Sequence, residues 1–307
     1  MRYAKLAPGH GFRPVNSFFY YLQRLVVTPR LRGMCVRTLR QWVRLRRGGL
    51  APSTTSTTSA TVAHRALLNA LQADGYAELG PLFTLGQCAD IQHYLADKLL
   101  TGRADGISGY TIANVPPKAR LAEYSLRDII DSPHILALAN NRRLLEMAAS
   151  YIGCKPTLSQ LGLRWSFPSE TVHSNLQAFH RDTEDWRYLK VLVYLTDVGA
   201  DDGPHVYVRG THRTKASILL RPQGDMEIIK RYGHESLAIA TGERGFGFAV
   251  DTAGIHKGSR PIANPRLLLQ IQYSLFRSFA YVYEPQPYRG VTPFDRYINR
   301  LILDYPR

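Results

Sequence analysis

The sequence predicts a mainly β domain with flanking helices. Helix-like patterns occupy most of the chain up to residue 153, whereas short strand-like runs separated by Gly, Pro and Asp turns follow Pro156. This order favours helices packed against a β-barrel or a β-sandwich. With 307 residues, 45% of them hydrophobic, the chain is long enough to bury a sizeable core in one large or two small domains.

Four helices are predicted ahead of the strand-rich part. The second ends at the Asp74-Gly75 dipeptide, after which residues 76–79 alternate as a strand does. The third begins after Thr84, has Gln87 at the capping-box position and is expected to run through Leu99. The predicted helices are 31–47, 62–73, 85–99 and 142–152, the last of them closed at Gly153. The expected strands after Pro156 are 158–167, 174–182, 189–198, 205–208, 243–250 and 266–275.

The basic residues are concentrated near the N-terminus. Residues 1–73 contain 12 of the 39 Lys and Arg residues and no Asp or Glu, so the rest of the chain is nearly neutral. The polar, low-complexity stretch 51–61 predicts a linker. We therefore divide the chain into a basic N-terminal appendage with its linker, 1–61, and a main domain, 62–307. The helix Leu31–Arg47 carries an apolar stripe and an arginine stripe, which fits either an anionic membrane surface or packing on the protein's own core.

Cysteine usage and hydropathy indicate the compartment. The three cysteines are far apart and form no CxxC pair, which favours a reducing compartment over a disulfide framework or a thiolate zinc site. No stretch approaches the roughly 20 apolar residues that span a bilayer. We expect a cytoplasmic protein. If its N-terminal helix binds lipid, that helix holds the protein at a membrane surface. An organellar transit peptide is the alternative interpretation of the Arg-rich, Ser/Thr-rich leader.

The pair His180 and Asp182 carries the main chemical signal. Residues two apart on an extended strand point to the same face, so these two side chains are expected to lie together. One further histidine would complete the 2-His-1-carboxylate face of non-haem Fe(II) oxygenases, which leaves three octahedral positions open. His205, His212 and His256 compete for this role. We favour His256, because His212 belongs to a Gly-Thr-His turn and His205 follows a Gly-Pro turn.

Several segments, in order, resemble the phytanoyl-CoA dioxygenase family of Fe(II)/2-oxoglutarate oxygenases. The resemblance covers roughly residues 68–285. The segments that carry it are Leu71–Tyr76 with Leu82–Thr84, Ala148–Gly153, Gln177–Asp182, Gly203–Arg213 and Ile255–Arg266.

This resemblance implies a double-stranded β-helix, or jelly roll, with His180, Asp182 and His256 as iron ligands and Arg266 as the residue that binds 2-oxoglutarate. An arginine inside a barrel needs an anionic partner, and its planar fork suits the distal carboxylate of this cosubstrate. A salt bridge to a protein carboxylate is the alternative role for Arg266, and Arg260 is the second candidate anchor. Halogenating relatives replace the carboxylate ligand by a small residue, so the presence of Asp182 implies hydroxylation or desaturation.

The predicted function is that of an Fe(II)/2-oxoglutarate-dependent dioxygenase that hydroxylates an aliphatic C–H of a small or lipid-linked molecule. The alternatives are a nucleic-acid oxidative demethylase that uses the basic leader and a non-catalytic jelly-roll binding module. Nucleic acid is not expected as a partner, because the leader lacks a regular alternation of aromatic and basic residues.

Strand parity turns Gln177 away from the metal. The candidate pocket residues are Tyr110, Arg164, Trp186 and Tyr188.

Overall fold

The strands of the protein build a barrel of two facing sheets. The computed structural model describes residues 2–50, 58–103, 106–169, 177–215, 221–291 and 293–305. The strands within these ranges are β1 (Arg2–Tyr3), β2 (Tyr76–Pro81), β3 (Leu100–Gly102), β4 (Ser108–Tyr110), β5 (Leu121–Glu123), β6 (Thr157–Ser166), β7 (Tyr188–Tyr194), β8 (His205–Val208), β9 (Leu237–Ala240), β10 (Phe246–Val250), β11 (His256–Gly258), β12 (Arg266–Ser274), β13 (Tyr281–Val282), β14 (Gln286–Pro287) and β15 (Leu303–Asp304).

The strand order confirms the predicted double-stranded β-helix. One sheet has eight strands in the order β2-β10-β7-β12-β6-β5-β3-β4, and the other has three in the order β11-β8-β9. All neighbours in these two sheets are antiparallel. An apolar cluster that joins Leu192 and Phe248 of the large sheet to Tyr207 and Ala240 of the small one fills the space between them.

Helices cover the outer face of the large sheet. Along β12, Leu267, Leu269 and Ile271 belong to the same buried cluster as the helices, which leaves Arg266 and Gln270 on the inner face, as the parity of a strand requires. The helices are α1 (Pro14–Leu25), α2 (Pro29–Arg47), α3 (Thr58–Ala73), α4 (Leu85–Leu95), α5 (Leu126–Asp131), α6 (Ile135–Ala139), α7 (Arg142–Ile152), α8 (Asp225–Tyr232) and α9 (Arg296–Asn299). None of the described helices combines the length and apolar character that crossing a membrane requires.

The start and stop signals in the sequence have physical counterparts. Thr84 accepts a hydrogen bond from the backbone N–H of Gln87, whose side chain accepts one in return from the backbone of Thr84, so the predicted capping box is confirmed. Helix α7 ends at Gly153, which adopts a φ of 92°. The prediction that α4 runs to Leu99 is wrong, because the helix ends at Leu95 and the chain enters β3 at Leu100.

The predicted strand 174–182 is not a regular strand where the structure describes it. Residues 174–176 lie outside the described ranges, and residues 177–182 make only isolated bridges. Phe179 bridges to Gln223, and His180 bridges to His256. The segment therefore holds its two polar side chains in place through pairing with two different partners, rather than as part of one sheet.

The described part of the N-terminal segment packs against the barrel. Strand β1 pairs with β13, and the side-chain amide of Asn16 donates to the carbonyl oxygen of Phe279 at 2.9 Å. The Arg32 guanidinium donates to the carbonyl oxygen of Asp185 at 2.6 Å, and Val43 is fully buried in the large core cluster. Most of the predicted linker, residues 51–57, lies outside the described ranges, so the domain boundary at residue 61 stays a prediction.

Candidate metal and anion site

Three side chains that the sequence singled out meet inside the barrel. His180 and His256 are bridged through their backbones, each N–H donating to the other's carbonyl at 2.9 Å. The Nε2 atom of His180 lies 3.7 Å from Oδ1 of Asp182, and that of His256 lies 3.6 Å from Oδ2. One potential ligand atom from each of the three residues lies within 4.8 Å of the other two. This spacing fits three ligands on one face of a metal ion.

Both imidazoles have their second nitrogen occupied by backbone. Nδ1 of His180 is 2.9 Å from the carbonyl oxygen of Ala178, and Nδ1 of His256 is 3.0 Å from that of Gly254. A carbonyl oxygen can only accept, so each Nδ1 carries the proton and each Nε2 presents a lone pair to the cluster. This arrangement fixes the tautomer that a metal ligand requires.

Burial and charge set the protonation of the cluster. Burial, with a smaller contribution from the neighbouring His180, lowers the pKa of His256 to about 3, so this ring is neutral at pH 7. Burial alone would raise the pKa of Asp182, but the Lys190 ammonium and the two imidazoles outweigh it and hold that pKa well below its usual range. Lys190 donates to Oδ2 of Asp182 at 2.7 Å. A neutral His256 imidazole beside an ionised Asp182 carboxylate has the protonation that binding of a divalent cation requires.

Arg266 is buried in the same cavity with unused hydrogen-bond donors. Its Nη2 donates to Oγ of Ser166 at 3.2 Å, whereas Nε and Nη1 have no partner among the described residues. Gly258 makes room for it, since a Cβ there would come within 3.1 Å of Nη2. A buried guanidinium with free donors is destabilising unless an anion satisfies it. The site therefore fits a carboxylate or similar anion beside the metal cluster.

A cavity of about 250 Å³ connects the metal cluster to Arg266. Of the four candidate pocket residues, only Arg164 lines it; Tyr188 is buried behind it, and Trp186 and Tyr110 pack elsewhere. His205 lines the cavity without joining the ligand cluster, and His212 hydrogen-bonds to the backbone of α3. The second candidate anchor, Arg260, does not line it.

Gln177, which strand parity turns away from the metal, is not in the His–Asp–His cluster but does line the cavity. Residues 177–182 do not form the continuous strand that the parity argument assumed.

Sequence reasoning also missed several wall residues. Lys190 lies within the otherwise apolar strand β7. A single lysine in such a strand is a usable signal, because a buried ammonium requires a carboxylate partner. Tyr3, Tyr20 and Arg103 come from segments distant in sequence, and no local pattern marks them.

Comparison with known proteins supports the fold. No family model and no curated sequence matches the chain. Among solved structures, EctD from S. alaskensis with bound Fe is similar, with a TM-score of 0.52 at 21% identity over 84% of this chain and 93% of that chain. The epimerase SnoN in complex with Fe3+, alpha ketoglutarate and nogalamycin RO has a TM-score of 0.53 at 18% identity, over 76% of this chain and 94% of that chain. At these identities the likeness establishes one property, the double-stranded β-helix that this chain shares with both.

Proposed function

We propose that the protein is an Fe(II)/2-oxoglutarate-dependent dioxygenase of the phytanoyl-CoA dioxygenase type that hydroxylates an aliphatic C–H of a small or lipid-linked molecule. The observation that carries the proposal is the placement of an ionised Asp182 and two Nε2 lone pairs in one cavity with an arginine that lacks an anion. The two comparison structures support it, since one is described with iron and the other with iron and the same keto acid.

Each of the four residues has a distinct task in this proposal. His180, Asp182 and His256 would hold Fe(II) through two imidazole nitrogens and a carboxylate oxygen. Arg266 would bind the distal carboxylate of 2-oxoglutarate through its guanidinium N–H donors. Bound iron and 2-oxoglutarate would supply the oxidising chemistry for the C–H bond, and the protein would supply the cavity and orient the reactants.

Lys190 acts on the carboxylate rather than on the metal. Its ammonium holds Oδ2 of Asp182 at 2.7 Å and lies 3.5 Å from Glu184. Because Lys190 already bonds to Oδ2, Oδ1 is the oxygen of Asp182 that would bind the cation. The acidic neighbours raise the pKa of Lys190 above its ordinary value despite the opposing effect of burial, so it stays charged at neutral pH.

The test removes the carboxylate and follows iron and turnover separately. The Asp182→Ala protein should bind Fe(II) at least about a hundredfold more weakly and show no release of succinate from 2-oxoglutarate. Asp197→Ala removes a surface carboxylate paired with Arg244 and serves as the matched control that keeps both activities. Full turnover in Asp182→Ala would refute the assignment, and iron binding without any turnover in the wild type would favour a non-catalytic module.

A peripheral membrane role for the N-terminal helices is the second part of this proposal. Eleven of the eighteen large apolar side chains exposed in the described residues lie between residues 3 and 45. Trp42 is 51% exposed and Leu45 is 78% exposed, and no acidic residue occurs before Asp74. Exposed apolar groups among arginines match an anionic membrane, where each nearby cation contributes about 1 kcal/mol.

Vesicle binding tests the membrane role. The protein should sediment with anionic vesicles at low salt, be released in part at high salt, and ignore neutral vesicles. Leu45→Glu should weaken this binding, whereas Met226→Glu, at an equally exposed position on α8, should not. Equal binding to neutral and anionic vesicles would contradict the proposal.

A further inference from the structure

A pair of arginines lines the cavity beside the proposed cosubstrate anchor. Arg164 stands on β6, two residues from Ser166 and on the same face of the strand, and Ser166 is the hydrogen-bond partner of Arg266. Arg103 follows β3, and both arginines line the cavity that contains the His–Asp–His cluster. The two guanidiniums are therefore placed to contact a molecule that binds next to the metal.

The two guanidiniums of the pair share one carboxylate. Nη1 of Arg103 donates to Oε1 of Glu123 at 2.7 Å, and Nε of Arg164 donates to the same oxygen at 2.8 Å. Their side chains are 19% and 21% exposed, so neither charge is fully solvated. Burial and the neighbouring guanidinium both lower the pKa of Arg103. Among the described residues, Glu123 is the one carboxylate that pairs with either guanidinium, so two cations share a single negative charge.

The N-terminal segment completes this part of the cavity. Strand β1 pairs with β13 and places the ring of Tyr3 5.0 Å from that of Tyr281. The Tyr3 phenol oxygen accepts a hydrogen bond from Arg103, and the guanidinium lies 5.3 Å from the centre of the same ring. Tyr20 of α1 lines the cavity as well. Since the phenol oxygen accepts from Arg103, its own proton remains available to a bound anion.

We infer that the substrate carries a carboxylate or phosphate group, which binds to Arg103 and Arg164 and receives a further hydrogen bond from Tyr3. Guanidinium forks bind both anions bidentately, and such charge-assisted bonds strengthen at a partly desolvated position. A cavity of about 250 Å³ admits a small molecule of this kind. The inference rests on the proposed function, because it names the substrate class of that same site.

The experiment uses inorganic phosphate and acetate as probes on the full-length chain carrying Arg266→Met. This substitution removes the other candidate anion site, so the outcome does not depend on whether 2-oxoglutarate binds. Phosphate binding is measured by titration calorimetry, and removing one guanidinium by Arg103→Met or Arg164→Met should weaken it by about tenfold or more. Arg260→Met is the matched control and should leave it unchanged. The probe that binds more tightly identifies the preferred anion.

Glu123 provides a readout of opposite sign. Glu123→Gln removes the carboxylate that competes for both arginines and should tighten phosphate binding, an effect that a purely structural pair would not show. If this variant does not fold, Tyr3→Phe removes one donor without changing charge and should weaken binding severalfold. Equal phosphate affinity in Arg266→Met alone and in Arg266→Met combined with Arg103→Met or Arg164→Met, or no binding in any of the three, overturns the inference. Failure of the protein with Arg266 intact to bind 2-oxoglutarate would overturn only the proposed function.

Discussion

Arg266 offers the sharpest test of the site, because its removal should weaken cosubstrate binding without lowering the stability of the protein. It is buried, and two of its nitrogens have no partner among the described residues. In the proposed complex, 2-oxoglutarate would gain two charge-assisted hydrogen bonds, each contributing about 1.5–3 kcal/mol. Arg266→Met should therefore weaken 2-oxoglutarate binding by at least about a hundredfold. Arg266→Lys keeps the positive charge but loses the planar guanidinium fork, so its affinity for 2-oxoglutarate should lie between those of the wild type and Arg266→Met.

The same substitution should not destabilise the protein in the absence of the cosubstrate. A methionine of similar length replaces a buried cation that lacks an anion, so the free energy of unfolding should stay equal or rise. Cosubstrate binding is measured by calorimetry with Mn(II) in place of iron, so that turnover does not consume it, and stability is measured by urea unfolding. Arg260→Met controls for the loss of a positive charge outside the cavity. Wild-type affinity in Arg266→Met, or the hundredfold loss in Arg260→Met instead, refutes the assignment.

Three further perturbations test the surroundings of the site. Lys190→Met leaves Asp182 without its buried partner and should lower the metal-free free energy of unfolding by about 3–5 kcal/mol, with bound metal restoring part of it in a thermal melt. Burial raises the pKa of Asp185 to about 7 from an ordinary value of 3.8. The contribution of this carboxyl group to folding stability should therefore be greatest below about pH 4 and be lost as the pH rises to about 7. Asp185→Asn should flatten that dependence between about pH 4 and pH 7, and an unchanged slope in urea unfolding would contradict it. Thr84→Ala removes the capping box with Gln87 and should destabilise the fold by about 1 kcal/mol, which chemical denaturation can resolve.

The sequence by itself determined the elements whose causes are local. The cap at Thr84, the glycine end of α7 at Gly153 and the strand β12 follow from hydrogen-bonding side chains, backbone freedom and alternating hydrophobicity, all of which are encoded within a few residues. His180, Asp182, His256 and Arg266 could be named because a resemblance fixes their order along the chain. Their meeting in one cavity agrees with that order.

Only the tertiary structure decided what surrounds these four residues. Lys190 and Arg103 reach the cavity through pairing between strands far apart in the chain, and Tyr3 reaches it because β1 joins β13. Gln177 faces the cavity because residues 177–182 bridge to two partners instead of forming one strand. Such contacts depend on long-range register and on the placement of loops, which local periodicity does not encode. The candidate ligand residues can thus be named from the sequence, whereas the shape and charge of the cavity around them arise from the folded chain.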